Sequence, residues 1–132
     1  MTVRFGVLGA GRIGQVHAKA ITTVPGASLV AVADAIEAAA QKLSDAYGCD
    51  IRSIDDIRTA DDIDAVIICT PTDTHADLIE RFARARKAVF CEKPVDLSGA
   101  RVQQCLAVVE ETGTTLMVGF NRRYDPDFLW CL

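Results

Sequence analysis

The stretch VLGAGRIG, residues 7–14, decides the fold of this 132-residue chain. It ends an apolar run that begins at Val3. The segment that it opens carries apolar residues at helical spacing, namely Ile13, Val16, Ala20, Ile21 and Val24. The hydrophobic period therefore changes from that of a strand to that of a helix, which predicts a strand, a tight turn and a helix.

Each glycine of this stretch has a physical role in such a turn. Gly9 permits the sharp bend, Gly11 lets a pyrophosphate approach the backbone, and Gly14 lets the helix pack close to the strand. Phosphates would then meet the free N–H groups and the positive dipole end of the helix, where Arg12 and Ile13 also lie. The alternative is a strand-to-helix connection that binds nothing.

A second apolar run, residues 29–33, ends in Asp34. The spacing from the glycines is that of the acid that binds an adenosine ribose, and together these features predict a dinucleotide site. A carboxylate accepts hydrogen bonds from the ribose 2′-OH but repels a 2′-phosphate, and no Arg or Lys stands beside Asp34 in the sequence. NAD is therefore predicted rather than NADP, although Asp34 could also serve as a helix N-cap.

Composition narrows the class of protein. Half of the residues are hydrophobic, which suffices for the core of one domain. The net charge of −4, the pI near 5.0 and the lack of a basic cluster argue against nucleic acid or a membrane as partner. The five cysteines lack metal-ligand spacing, so we expect reduced thiols, no metal site and a cytoplasmic protein without an export signal or membrane span.

The rest of the chain alternates predicted helices and strands. A helix from Ala35 is predicted to bury four residues on one face and to end at Gly48; the four are Ile36, Ala40, Leu43 and Tyr47. A short strand around Ile51, a helix capped by Ser53, a buried strand over 64–69, and a helix over 74–87 follow.

A fifth strand over 88–91, a helix capped by Ser98 and a sixth strand over 115–118 complete the pattern. The inward face of that helix is predicted to carry Val102, Cys105, Leu106 and Val109. Strands alternating with helices imply right-handed crossovers, so the fold class is α/β, with a doubly wound, mostly parallel sheet of about six strands in the order 3-2-1-4-5-6.

Polar motifs follow the strand ends, which a parallel sheet gathers at one edge. Besides the glycine loop and Asp34, they are TPT at residues 70–72, EKP at 92–94 and NR at 121–122. A lysine at that edge, Lys93, could bond a substrate hydroxyl and help to move its proton during hydride loss, although a solvated lysine is the commoner case. His17 and His75 are interpreted from their positions as structural, since neither has neighbours suited to triad chemistry.

GAGRIG at residues 9–14, TPT with His75, and above all CEKP at 91–94 resemble the Gfo/Idh/MocA oxidoreductase family. The resemblance implies an N-terminal Rossmann domain with Lys93 as the catalytic residue. It also implies cofactor contacts from Thr70, Pro71, Thr72, His75, Glu92 and Lys93. The stretch GFNRRYDP at 119–126 is similar to the polyol (inositol-type) dehydrogenases of the family and implies that Asn121 and Arg122 lie near a polyol.

The resemblance covers about the first half of a usual family member. We therefore expect a dinucleotide-binding domain over 1–120 and, over 121–132, the start of a connection to a second domain that this chain lacks. Two functions stay open: an NAD-dependent polyol dehydrogenase module, and a dinucleotide-binding or assembly fragment without turnover. A nucleotide-binding regulator would require Lys93 to be incidental. A homo-oligomer is expected, with self-association through the apolar tail after Gly119.

Overall fold

A computed structural model of the chain describes residues 2–92 and 95–119. The six strands of this part are β1 (Val3–Leu8), β2 (Ala27–Ala33), β3 (Asp50–Ile51), β4 (Ala65–Ile68), β5 (Ala88–Glu92) and β6 (Leu116–Gly119). The five α-helices are α1 (Arg12–Thr23), α2 (Glu37–Tyr47), α3 (Ile54–Thr59), α4 (His75–Arg84) and α5 (Gly99–Thr112). A short 3₁₀ helix, Thr72–Thr74, precedes α4.

The strands form one sheet in the order β3-β2-β1-β4-β5-β6, and every described pair is parallel. The predicted class and strand order are therefore confirmed. The order reverses direction at β1, so the carboxyl ends of β1 and β4 flank the crevice where such sheets bind ligands.

The core consists of two apolar layers, one on each face of the sheet. Successive residues of a strand point to opposite faces, so Val7 belongs to the layer with α1 and α2, and Leu8 to the layer with α3, α4 and α5. Both side chains are completely buried, as is Phe82 of α4. The sheet is thus covered on both faces, which explains why β4 is a continuous apolar run.

The predicted capping residues lie where the structure uses them. Ser53 accepts a hydrogen bond from the backbone N–H of Asp56 at the start of α3, and Ser98 does the same for Arg101 at the start of α5. Gly48 and Gly113 end α2 and α5 in the left-handed conformation that favours glycine.

The helix predicted over 74–87 is shorter than expected. It ends at Arg84 because Arg86 adopts a positive φ of 65°, which turns the chain back toward the sheet. Lys87 is carried inward by this turn, and its Nζ donates to the carbonyl oxygens of Ala60 and Ile63, both at 2.7 Å. The turn therefore ties the end of α4 to the segment after α3.

Several apolar residues face outward, contrary to the predicted helix faces. Gly14 and Ala18 occupy the face of α1 that meets the sheet, so Val16 is 58% exposed. In α5, Val108 rather than Leu106 is buried, and Ile36, the N-cap residue of α2, is 67% exposed. The small residues of α1 bring the helix close to the sheet; Ile21 is buried as predicted, whereas Val16 is left outside.

Within residues 2–92 and 95–119, no helix combines the length and the apolar character needed to cross a membrane.

Candidate functional site

The glycine loop between β1 and α1 has the backbone that its sequence predicts. Gly9 has a φ of 98°, and a Cβ there would lie 2.7 Å from the carbonyl oxygen of Cys69 at the end of β4. A Cβ on Gly14 would overlap the carbonyl oxygen of Gly9, so α1 can approach β1 this closely only with glycine at 14. Gly11 has open space instead, since no atom lies within 4 Å of a Cβ built there.

The first turn of α1 is open to an anion. Its N-cap residue, Gly11, provides no side-chain hydrogen bond, and the first turn holds no acidic residue. Backbone N–H groups at such a helix start are available to a ligand, and the helix dipole favours negative charge there. Arg12 and Ile13 begin this turn with exposed side chains.

Asp34, directly after β2, joins the end of that strand to the glycine loop. Its Oδ2 accepts a hydrogen bond from the Ala10 backbone N–H at 2.5 Å, and its Oδ1 accepts one from Ile36 at 2.7 Å. The N-cap of α2 is Ile36, so Asp34 does not cap that helix. A carboxylate has about four acceptor positions, so capacity remains for ribose hydroxyls.

A cavity of about 650 Å³ lies at the carboxyl edge of the sheet, within the size range of cofactor pockets. Five predicted site residues line it: Gly9, Gly11, Asp34, Thr70 and Pro71. They come from loops after β1, β2 and β4, so the structure brings together residues that are spread over 63 positions of the chain.

The other predicted residues take different places. His75 is 2% exposed and contacts the carbonyl oxygen of Thr70 through Nε2 at 2.6 Å, so it packs beneath the turn rather than lining the cavity. Thr72 begins the 3₁₀ helix next to that turn. Glu92 ends β5 outside the cavity wall, and Lys93, Asn121 and Arg122 lie outside the described residues.

Most of the apolar wall of the cavity was not predicted from the sequence. Ile36, Ile54 and Leu78 contribute to it from segments near α2, α3 and α4. Cys69 also lines it, and burial, with a smaller contribution from the charge of Glu92, raises the pKa of this thiol to about 12. The thiol is therefore neutral at physiological pH and adds an uncharged surface beside Thr70.

A cation also reaches the cavity from a distant segment. Arg81 of α4 lines it together with Asp34, and both also line an adjoining cavity of about 310 Å³. Arg52 lines the adjoining cavity too, but its guanidinium is paired with Asp50 and Asp62, each at 2.8 Å. No arginine or lysine neighbours Asp34 in the sequence. Arg81 comes near Asp34 only because α4 packs against the sheet, so its place in the cavity could not be predicted from the sequence.

The described residues contain no group of three or more His, Cys, Asp and Glu side chains arranged to hold a metal ion. The four cysteines in this part of the chain, Cys49, Cys69, Cys91 and Cys105, are all free thiols. Cys131 lies outside it.

The family model for an oxidoreductase family with an NAD-binding Rossmann fold matches residues 3–120. An inositol 2-dehydrogenase of Rhizobium meliloti is 68% identical over 129 residues, which are 98% of this chain and 39% of that protein. A scyllo-inositol 2-dehydrogenase (NAD⁺) of Bacillus subtilis is 44% identical over 96% of this chain and 38% of its own length.

The fold also matches the crystal structure of a scyllo-inositol dehydrogenase from Lactobacillus casei with bound NAD(H) and scyllo-inositol. The TM-score is 0.91 at 30% sequence identity, with 99% of this chain and 40% of that chain covered. The present chain thus spans about two fifths of the length of the relatives that it matches.

Proposed function

Because the chain belongs to the Gfo/Idh/MocA oxidoreductase family and carries its NAD-binding Rossmann fold, we propose that it is the cofactor-binding part of an NAD-dependent polyol dehydrogenase. The substrate class is an inositol-type polyol, whose CH–OH group gives up a hydride. NAD supplies the chemistry by accepting that hydride on its nicotinamide ring.

The glycine loop with its cavity is the observation that supports the proposal most directly. The open space at Gly11 and the uncapped start of α1 fit a pyrophosphate. The carboxylate of Asp34, on the cavity wall, would accept hydrogen bonds from the adenosine ribose. The apolar side chains of Ile36 and Leu78 provide a surface that fits an adenine ring.

Asp34 supports NAD over NADP because its negative charge opposes a 2′-phosphate. Arg81, in the same cavity, would moderate this opposition without reversing it, since the carboxylate takes the position at the end of β2 that the ribose-binding acid occupies in this fold. We therefore expect NADH to bind more tightly than NADPH.

Lys93 would hold the hydroxyl group of the polyol and help to move its proton, as the family resemblance implies. Asn121 and Arg122 would bind the polyol. Contacts with the nicotinamide end would come from Thr70, Pro71, Thr72, His75 and Glu92. The free thiols support a cytoplasmic location, and a homo-oligomer would form through the apolar sequence after Gly119.

A dinucleotide-binding module without turnover is the second candidate. The observation that favours it is that the chain spans 39% of the length of its inositol 2-dehydrogenase relative. In both cases this chain binds NAD, and the two differ only in catalysis.

Titration of the chain with NADH and NADPH, followed by nicotinamide fluorescence, tests the binding proposal. We expect saturable binding with NADH favoured; tighter binding of NADPH would contradict the assignment. NADH production from myo-inositol and NAD then separates the two candidates. Steady-state turnover by this chain would support the dehydrogenase module, and binding without turnover would support the second candidate.

A further inference from the structure

A side chain of α1 reaches the end of β5, on the other half of the sheet from Asp34. His17 Nε2 lies 2.5 Å from Oε1 of Glu92, although the two residues are 75 positions apart. Both side chains are largely covered, with 22% and 16% exposed. Within the described residues, neither Arg12 nor Lys19 of α1 forms an ion pair with a residue of the sheet.

The imidazole of His17 is held in place by an aromatic contact. Its ring meets the ring of Phe90 edge-on, with the centroids 5.2 Å apart and the planes at 62°. Phe90 is in turn confined by Gly119, where a Cβ would lie 2.5 Å from Cζ of the phenyl ring. Gly119 is also the register partner of Glu92 in β6. The histidine is therefore fixed in orientation before any ligand binds.

The contact between His17 and Glu92 lies on the half of the sheet that would face the nicotinamide end of the cofactor. In this fold, the dinucleotide lies across the switch point, with one mononucleotide half on each half of the sheet. Asp34 after β2 defines the adenosine half, so the nicotinamide half faces the ends of β4 and β5. Cys91 of β5 is the register partner of Ile68 in β4, so the next residues along the two strands, Glu92 and Cys69, lie side by side, and Cys69 lines the cavity.

We propose that His17 is a positioning residue, which holds the Glu92 carboxylate in place for the nicotinamide ring of NAD. The inference rests on the proposed function. His17 lies one helical turn after Ile13, so the helix whose first turn would bind the pyrophosphate also fixes the group at the nicotinamide end. One rigid element thereby sets the distance between the two binding points.

Four forms of the chain test this role. His17→Met keeps an apolar side chain against Phe90 but removes the ring nitrogen. His17→Gln keeps an N–H that can donate to Glu92. Lys19→Ala, at an exposed position of the same helix, is the matched control beside the wild type. Each form is titrated with NADH and with ADP-ribose, which is NAD without its nicotinamide ring.

His17→Met should weaken NADH binding about tenfold, the scale of one lost hydrogen bond to a charged group. Its affinity for ADP-ribose should change less than twofold, because the adenosine and phosphate contacts remain. His17→Gln should restore NADH binding to within about threefold of the wild type, and Lys19→Ala should match the wild type for both ligands. A merely structural role would weaken both ligands together.

Equal losses for NADH and ADP-ribose in His17→Met, or no loss for either, would overturn the inference and leave NAD binding itself supported. A wild-type chain that binds neither ligand would overturn the proposed function as well.

A measurement on the unmodified chain covers the case in which His17→Met does not fold. The chain has two histidines, so the imidazole NMR signals of His17 can be followed directly. These signals should shift when NADH is added but not when ADP-ribose is added, and equal shifts would refute the proposed role.

Discussion

Replacement of Asp34 tests cofactor preference and stability together, because the structure gives this carboxylate two tasks. Its oxygens accept hydrogen bonds from Ala10 and Ile36, at 2.5 and 2.7 Å. A hydrogen bond to a charged group contributes about 1.5–3 kcal/mol, and water can replace part of this at a partly exposed site. We therefore expect Asp34→Ala to lower the free energy of unfolding by about 2–3 kcal/mol, or roughly 10 °C in the melting temperature.

Asp34→Asn removes the negative charge of the side chain but keeps its shape, so it is the better test of the preference for NADH over NADPH. Its amide oxygen keeps one backbone hydrogen bond, so the loss of stability should be about 1 kcal/mol. A unit charge about 5 Å from a carboxylate is repelled by roughly 1.7–3.3 kcal/mol at effective dielectric constants of about 20–40. Removal of this repulsion should narrow the preference for NADH over NADPH by about 15-fold to 250-fold, measured by titration with both cofactors.

Two further variants make the result specific. Asp73→Asn also removes an acid from the cavity wall, but one that lies away from the end of β2, and it should leave the preference unchanged. Addition of Arg81→Met to Asp34→Asn should remove most of the gain in NADPH binding, since Arg81 is the cation in that cavity. If Asp34→Asn folds, binds NADH and keeps the wild-type preference, Asp34 does not face the ribose and the reasoning fails.

Three other perturbations have clear expected outcomes. Gly14→Ala forces Cβ against the backbone of Gly9 and should cost about 3 kcal/mol of stability together with NADH binding. Gly11→Ala, at an N-cap with open space around Cβ, should cost at most about 1 kcal/mol of stability and should mainly lose binding. Similar melting temperatures for the two variants would contradict the roles assigned to these glycines. Lys87, which is 8% exposed, donates two hydrogen bonds to carbonyl oxygens, and Lys87→Met removes both. The free energy of unfolding, measured in urea, should fall by about 2–4 kcal/mol. A loss below about 0.5 kcal/mol would show that these hydrogen bonds do not stabilise the fold. Arg4 donates hydrogen bonds to both carboxylate oxygens of Asp64 and lowers the pKa of Asp64 from 3.8 to about 2. The contribution of this ion pair to stability is complete above about pH 5 and is lost as the pH falls through about 2. Thermal melts of Asp64→Asn should show a weaker decline over this range than the wild type, and parallel declines would exclude the effect.

The turns and helix ends that depend on a few neighbouring residues were predicted correctly from the sequence. The turn at Gly9 needs a positive φ, the capping hydroxyl of Ser53 needs an N–H three residues later, and the left-handed end of α2 needs Gly48. Each of these requirements is met within a few residues of the chain. The strand order followed from the alternation of strands and helices, because parallel crossovers have one hand.

Helix faces were predicted less well because the outward residues are also apolar. In α1 the buried face carries the predicted Ile21 together with Gly14 and Ala18, which carry little weight in a hydrophobic pattern, and Val16 is left exposed. The end of α4 depended on the positive φ of Arg86, a non-glycine residue with no local signal for such a turn.

The candidate site was likewise predicted only where its residues are close together in the sequence. Glycines and Asp34 are recognisable by spacing, since they belong to one β-α-β unit. Arg81 joins the cavity from α4, and His17 meets Glu92 across the sheet. Such contacts exist only after the sheet has assembled, so no window of the sequence contains them.

The central place of β1 in the sheet affects the order in which the chain can fold during synthesis. Val3 pairs with Ala27, but the other edge of the strand waits for β4, where Phe5 lies beside Ala65. A nascent chain that has left the ribosome only as far as β3 therefore exposes an unpaired edge of its central strand. Contacts this distant in sequence are closed late and slowly. Until β4 emerges, the first half of the domain is vulnerable to proteases and to aggregation, and chaperone binding to this interval would protect it.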